Sequence, residues 1–238
     1  NREQQRLLEI ENQKKSDALT YLAHDIRTPL ASVVGYLSLL CEAPDMPLEQ
    51  RNKFTHTAFN KALQFEKLID DFFDITRFNL SEKALNKKEV DLCFLLEQLS
   101  DEFFPLLHEK ELYIKFSIPD ELIALVDGEK MARVFNNVIK NAIMYSYPQT
   151  AIDICMTSSD DNITVMIANH GDTIPNDKLE HIFDKFYRAD ENYQTRENGT
   201  GLGLAIAKEI VRMHNGLITA TSIDEITTFT ITLPIVKE

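Results

Sequence analysis

With 238 residues, 44% of them hydrophobic and 26% charged, the chain has the composition of a globular protein, and its length suits one large domain or two small ones. A net charge of −13 excludes a protein that binds nucleic acid through clustered Lys and Arg. Cys41, Cys93 and Cys155 lie far apart without CxxC spacing, so they read as core or half-buried thiols in a reducing compartment, not as a disulfide framework. No run approaches the roughly 18 apolar residues that cross a bilayer. The opening "NREQQRLLEIENQKKSDAL" starts in mid-helix without a methionine, and reads as a fragment whose upstream part is missing.

In the first forty residues Leu19, Leu22, Ile26, Val33, Leu37 and Leu40 recur at threes and fours, the pattern of a helix with a coiled-coil-like seam. After the breaker "CEAPDMPLEQ" a second series, including Phe54, Ala58, Phe65, Leu68 and Phe72, repeats the spacing. Two antiparallel helices cannot bury both faces alone, which predicts a dimer forming a four-helix bundle over residues 1–80. The polar stretch "RFNLSEKALNKKEVD" reads as a linker, placed at 81–89. From about Val90 strands and helices alternate. "AIDICMTSS" with "NITVMIANH", and "GLITATS" with "TFTITLP", read as two hairpins, and helices are expected at Gly128–Ser146, Asp177–Phe186 and Gly201–His214. The last is stopped by Asn215-Gly216. No parallel βαβ unit is evident, and the expected packing for 90–238 is α+β, a mixed sheet with helices on one face.

Three constellations carry chemistry. In "YLAHDIRTPL" His24 lies about 200° round the helix from Leu22 and Ile26, so it points away from the seam, with Thr28 on the same face and Asp25 beside it. Pro29 removes a helical donor at a cost of roughly 3 kcal/mol and should bend the helix just past that patch. In "RVFNNVIKNA" Asn136, Asn137 and Asn141 crowd a helix interior although Asn is a mediocre helix former, so their amides are read as facing a ligand: the oxygen suits Mg²⁺ and the NH₂ suits phosphate. In "NGTGLGLAIAKEIV" Gly199, Gly201 and Gly203, three of the chain's seven glycines, lead into a helix N-terminus, an anion site. The stretch before them carries Lys185, Arg188 and Arg196 and has the composition of a lid.

In this order and spacing the segments "AHDIRTPL", "NNVIKNA", "NHGDTIP", "IFDKFYR" and "GTGLGL" resemble the H, N, G1, F and G2 boxes of the bacterial sensor histidine kinases, in wording most like the vancomycin-resistance sensors of Gram-positive bacteria. The resemblance covers nearly the whole chain. It implies a helical dimerisation and phosphotransfer domain followed by a Bergerat-type (GHKL) ATP-binding α/β sandwich. It also implies a membrane sensor upstream, which would make this chain the cytoplasmic portion of a plasma-membrane protein, and a response regulator as partner. His24 would accept phosphate from ATP, Asp25 would position or deprotonate the imidazole, and Thr28 would orient water for the reverse, phosphatase reaction. Asn141 would ligate Mg²⁺ and Asn137 would contact phosphate. Tyr145, Lys185, Arg188, Gly199, Gly201, Leu202 and Gly203 would complete the triphosphate site, with Asn169 and Gly171 at the adenine.

Two positions depart from the family. Asn169 stands where an aspartate usually reads the adenine amino group, and Met144 stands where the helix after the metal ligand often carries Lys. Both point to weak nucleotide binding. The rival readings are a GHKL ATPase without histidine transfer, which the hairpin bearing "HDIRTP" opposes, and a catalytically weak dimer that signals by docking a regulator.

Overall fold

The computed structural model describes residues 26–80, 85–185, 187 and 201–235, which divide into a helical unit, up to Asn79 and including 201–202, and a mixed α/β unit of the remaining residues.

The helical unit is a hairpin. Helix α1 occupies 26–42 and α2 spans Leu48–Leu80. Tyr36 of α1 packs on Phe54 of α2 with ring centroids 5.4 Å apart, and Ala58 and Leu68 are buried. Pro29 lies within α1, and Asp25, whose carbonyl it leaves without a helical partner, falls outside the described residues. The hairpin leaves an apolar stripe uncovered: Leu30, Val34 and Leu37 at i, i+4 and i+7 of α1, with Phe59 and Leu63 on α2, are all exposed.

The α/β unit starts with β1 (Lys88–Asp91), so the stretch read as a linker ends in a strand. Then follow α3 (Leu92–Glu102), α4 (Phe104–Glu109), β2 (Tyr113–Ser117), β3 (Ile123–Val126), α5 (Gly128–Tyr145), β4 (Ala151–Ser158), β5 (Asn162–His170), α6 (Asn176–Leu179), α7 (Gly203–Met213), β6 (Leu217–Ile223) and β7 (Ile226–Pro234). β1 and β3 pair antiparallel, and the main sheet has the order β2-β4-β5-β7-β6. It is mixed, as expected, because β2 runs parallel to β4 while the other neighbours are antiparallel. That parallel pair, connected through β3 and α5, corrects the expectation of no βαβ unit; β2 is mostly exposed and carries no core pattern that could announce it.

Alternation decides the sheet's two faces. Ile152, Ile154, Val165, Ile167, Phe229 and Ile231 point inward and are buried, against the apolar stripe of α5 (Met131, Val134, Phe135, Val138, Ile139, Ala142) and α7 (Ile206, Ile210, Val211). Both predicted hairpins form; Asp224 and Glu225, both at positive φ, make the two-residue turn between β6 and β7. The helix expected over Asp177–Phe186 shrinks to α6, and residues 180–185 follow as turns held by i to i−3 bonds. Helix α7 ends as expected: Asn215 takes φ 60°, its N–H bonds Arg212 O and the Gly216 N–H bonds Val211 O.

Candidate functional site

Helix α5 is fixed at both ends. Asp127 caps its start by accepting from the Lys130 N–H at 3.2 Å, and the Asp127 N–H donates to His214 Nε2 at 3.0 Å. His214 is 3% exposed and its Nδ1 lies 2.8 Å from Ile210 O, so the ring is neutral with its proton on Nδ1, and burial holds its pKa below the ordinary value. At the other end Lys110 Nζ donates to the carbonyls of Ile143 and Met144, each at 2.7 Å, which places a cation on the negative end of the helix dipole.

Between these anchors Asn137, Asn141 and Tyr145 stand at i, i+4 and i+8 on one edge of α5, the two amides half-buried and Tyr145 exposed. Among the described residues the Asn137 Nδ2 is buried without a hydrogen-bond partner. A Cβ on Gly203 would sit 3.3 Å from Asn137 Oδ1, so glycine at the first residue of α7 lets that N-terminus approach the amide. Gly201, two residues earlier, has φ 67°, Leu202 is buried, and α7 has no acidic residue in its first turn.

The second wall is the end of β5. Ile163, Val165, Ile167 and Asn169 are successive inward positions, so the strand that buries three aliphatic side chains buries an amide at the fourth. Asn169 is 2% exposed and its Oδ1 has no hydrogen-bond partner among the described residues. Gly171 follows, where any Cβ would overlap the Tyr145 carbonyl oxygen, so β5 and the exit of α5 meet at a point only glycine can occupy.

A network absent from the sequence reading pins this corner. The Tyr147 N–H donates to His170 O, and Gly171 N–H to Glu225 O, both at 2.8 Å; Glu225 N–H donates to Thr173 Oγ1 and Ile174 N–H to Ser222 Oγ, both at 2.9 Å. The Tyr147 hydroxyl lies 2.7 Å from Asp172 Oδ1 and 3.2 Å from Glu225 Oε1, and the bond to Asp172 raises its pKa. These partners are 25 and 78 residues from Tyr147, a separation that leaves no local signal.

The structure therefore brings Asn137 to Gly203, and Tyr145 to Gly171 beside Asn169. Asn141 shares the α5 edge, while Lys185 is exposed in the turns after α6. Thr28 is exposed on α1, where its carbonyl accepts from Ser32 Oγ at 3.0 Å. His24, Asp25, Arg188 and Gly199 lie outside the described residues. Two buried amide atoms without partners among the described residues suit a ligand with complementary donors and acceptors, because an unsatisfied buried polar atom costs roughly 1–3 kcal/mol.

Comparison with known proteins places both units. Residues 14–80 match the His Kinase A (phospho-acceptor) domain, and residues 126–237 match the histidine kinase-, DNA gyrase B- and HSP90-like ATPase family. The chain is 49% identical over 227 residues to the sensor protein VanS of Enterococcus faecium, covering 94% of this chain and 58% of that protein. It thus spans under two thirds of that relative's length. In structure it is similar to the histidine kinase AdeS of Acinetobacter baumannii, with a TM-score of 0.74 at 21% identity over 90% of this chain and 98% of that one. It is also similar to the histidine kinase ThkA, solved in complex with the response regulator protein TrrA: TM-score 0.72, 20% identity, 96% of this chain and 66% of that one. Both establish the fold, a phospho-acceptor hairpin joined to a GHKL α/β sandwich.

Proposed function

Since this chain belongs to the sensor histidine kinases, we propose that it transfers the γ-phosphoryl group of ATP to His24, passes it to an aspartate of a response regulator, and dephosphorylates that regulator. The single observation that carries the nucleotide half is the pair of stranded amide atoms, Asn169 Oδ1 at the end of β5 and Asn137 Nδ2 on α5.

Asn169 accepts from the adenine amino group. Asn137 and the N–H groups at the start of α7 donate to phosphate oxygens, and Gly199, Gly201, Leu202 and Gly203 shape the loop around them. Tyr145, Lys185 and Arg188 close the site, and Gly171 lets the end of β5 approach the exit of α5 beside Asn169. The Asn141 amide oxygen would hold Mg²⁺, which when bound would neutralise charge on the triphosphate. A neutral ring nitrogen of His24 forms the new N–P bond with its lone pair, the bond from the γ-phosphorus to the bridging oxygen breaks, and ADP leaves with that electron pair. Asp25 holds the imidazole and takes up its proton. Thr28, exposed one turn further on, orients the water for the reverse activity.

The uncovered stripe of Leu30, Val34 and Leu37 supports a homodimer that closes a four-helix bundle. Residues 1–80 form the phosphotransfer domain, 81–87 the linker, and the chain from β1 at Lys88 onward the ATP domain. A regulator partner is supported by the likeness to ThkA, and a role in glycopeptide-resistance signalling at the plasma membrane by the 49% identity to VanS. No described helix is long and apolar enough to cross a membrane. ATP labelled in its γ-phosphate tests the proposal: a label lost in acid and kept in base is a phosphoramidate and supports it. An acid-stable label, or none, overturns it.

A further inference from the structure

Asn169 differs from a carboxylate in more than charge. A carboxylate only accepts hydrogen bonds, whereas an amide accepts at one end and donates at the other. Which end points where is normally fixed by the protein, yet among the described residues no hydrogen bond holds the Asn169 side chain, and its Oδ1 is stranded in a 2% exposed site. Its backbone is committed elsewhere, because β5 is paired on both sides, Asn169 facing Ile152 of β4 and Thr227 of β7. Only the amide is left to meet a base. Its neighbour Gly171 brings no side chain against the amide: a Cβ there would be 3.4 Å from Asn169 Nδ2. Rotation about the last side-chain torsion, which has a roughly two-fold profile, exchanges the oxygen and the NH₂ without breaking a protein bond.

The two purines present opposite patterns to such a group. Adenine offers a donor at its amino group and an acceptor at N1, and guanine offers an acceptor at O6 and a donor at N1. An amide matches the first in one orientation and the second in the other, but an aspartate would set its charge against guanine O6. We infer that Asn169 reads either purine, so that GTP serves beside ATP as phosphoryl donor. The inference rests on the nucleotide site proposed above. Transfer from GTP is the same reaction: the N–P bond forms on His24, the bond to the bridging oxygen breaks, and GDP departs with the electron pair.

Titration calorimetry of the full chain with Mg·ATP and with Mg·GTP, on the parent and on Asn169→Asp, tests it, followed by labelling from γ-labelled GTP. The parent should bind the two nucleotides within about tenfold of each other. Asn169→Asp should widen the preference for ATP by about another tenfold, the ratio expected when a charge-assisted bond replaces a neutral one. GTP should also leave an acid-labile label on the parent. ATP binding with GTP more than about a hundredfold weaker, or a ratio unchanged in the Asp variant, overturns the inference while leaving the nucleotide site intact. Failure of the parent to bind either nucleotide overturns both. The parent ratio needs no substitution, so the test stands even if the variant misfolds.

Discussion

Replacing Asn169 by leucine should stabilise the nucleotide-free protein while destroying its site. The residue occupies an inward position of β5 in line with Ile163, Val165 and Ile167, and its cross-strand neighbours Ile152 and Thr227 are buried. A stranded buried carbonyl costs roughly 1–3 kcal/mol, and an apolar side chain of similar size removes that cost. At about 2–4 °C per kcal/mol for a domain of this size, the melting temperature should rise by about 2–12 °C. Nucleotide should offset most or all of that gain: at a hundred times its Kd, ATP adds about 2.7 kcal/mol to the parent and nothing to a variant that cannot read the base. Thermal melts followed by circular dichroism, with and without Mg·ATP, read both effects. A variant that melts below the parent without nucleotide would show that the oxygen is not stranded. A variant that keeps the full shift with ATP would show that Asn169 does not meet the base.

Tyr147→Phe removes the hydroxyl that ties Asp172 and Glu225 to the exit of α5, so the KM for ATP should rise several-fold with little change in labelling rate at saturation; a loss in kcat alone would refute that bracing role. Thr28→Ala should slow dephosphorylation of the regulator while autophosphorylation continues, and loss of both would make Thr28 structural. Because burial lowers the pKa of His214, the unfolded chain binds protons below about pH 6.5 where the folded protein does not. Stability should therefore fall as pH drops through that window, by at most about 1.4 kcal/mol per unit. Denaturant midpoints between pH 7.5 and 5.5 should flatten in His214→Gln, and an unchanged slope would exclude this histidine as the source.

The parts of the molecule legible in the sequence are those governed by local pattern. The apolar stripe of α5, both hairpins and the Asn215 stop of α7 all follow from spacing and turn chemistry within a dozen residues. The mixed sheet was legible only as a class, because the parallel β2–β4 pair depends on an exposed edge strand without alternation. Within the site, asparagines crowded on a helix and glycines before another announced themselves by being poor choices for those elements. What fixes them did not: Lys110 on the carbonyls of α5, His214 under its N-cap and Tyr147 at its exit act over 25 to 87 residues, and nothing nearby in the chain requires them. The overlong helix expected at Asp177–Phe186 shows the converse failure, a helical composition that continues past α6 while the backbone turns.

The central claim is that His24 accepts the phosphoryl group from a nucleotide held by α5, β5 and α7. It is tested most directly by γ-labelled ATP on the His24→Gln chain, with nucleotide binding measured by calorimetry on the same sample. The account predicts ATP bound as in the parent and no acid-labile label, whereas an acid-labile label persisting on His24→Gln would contradict it.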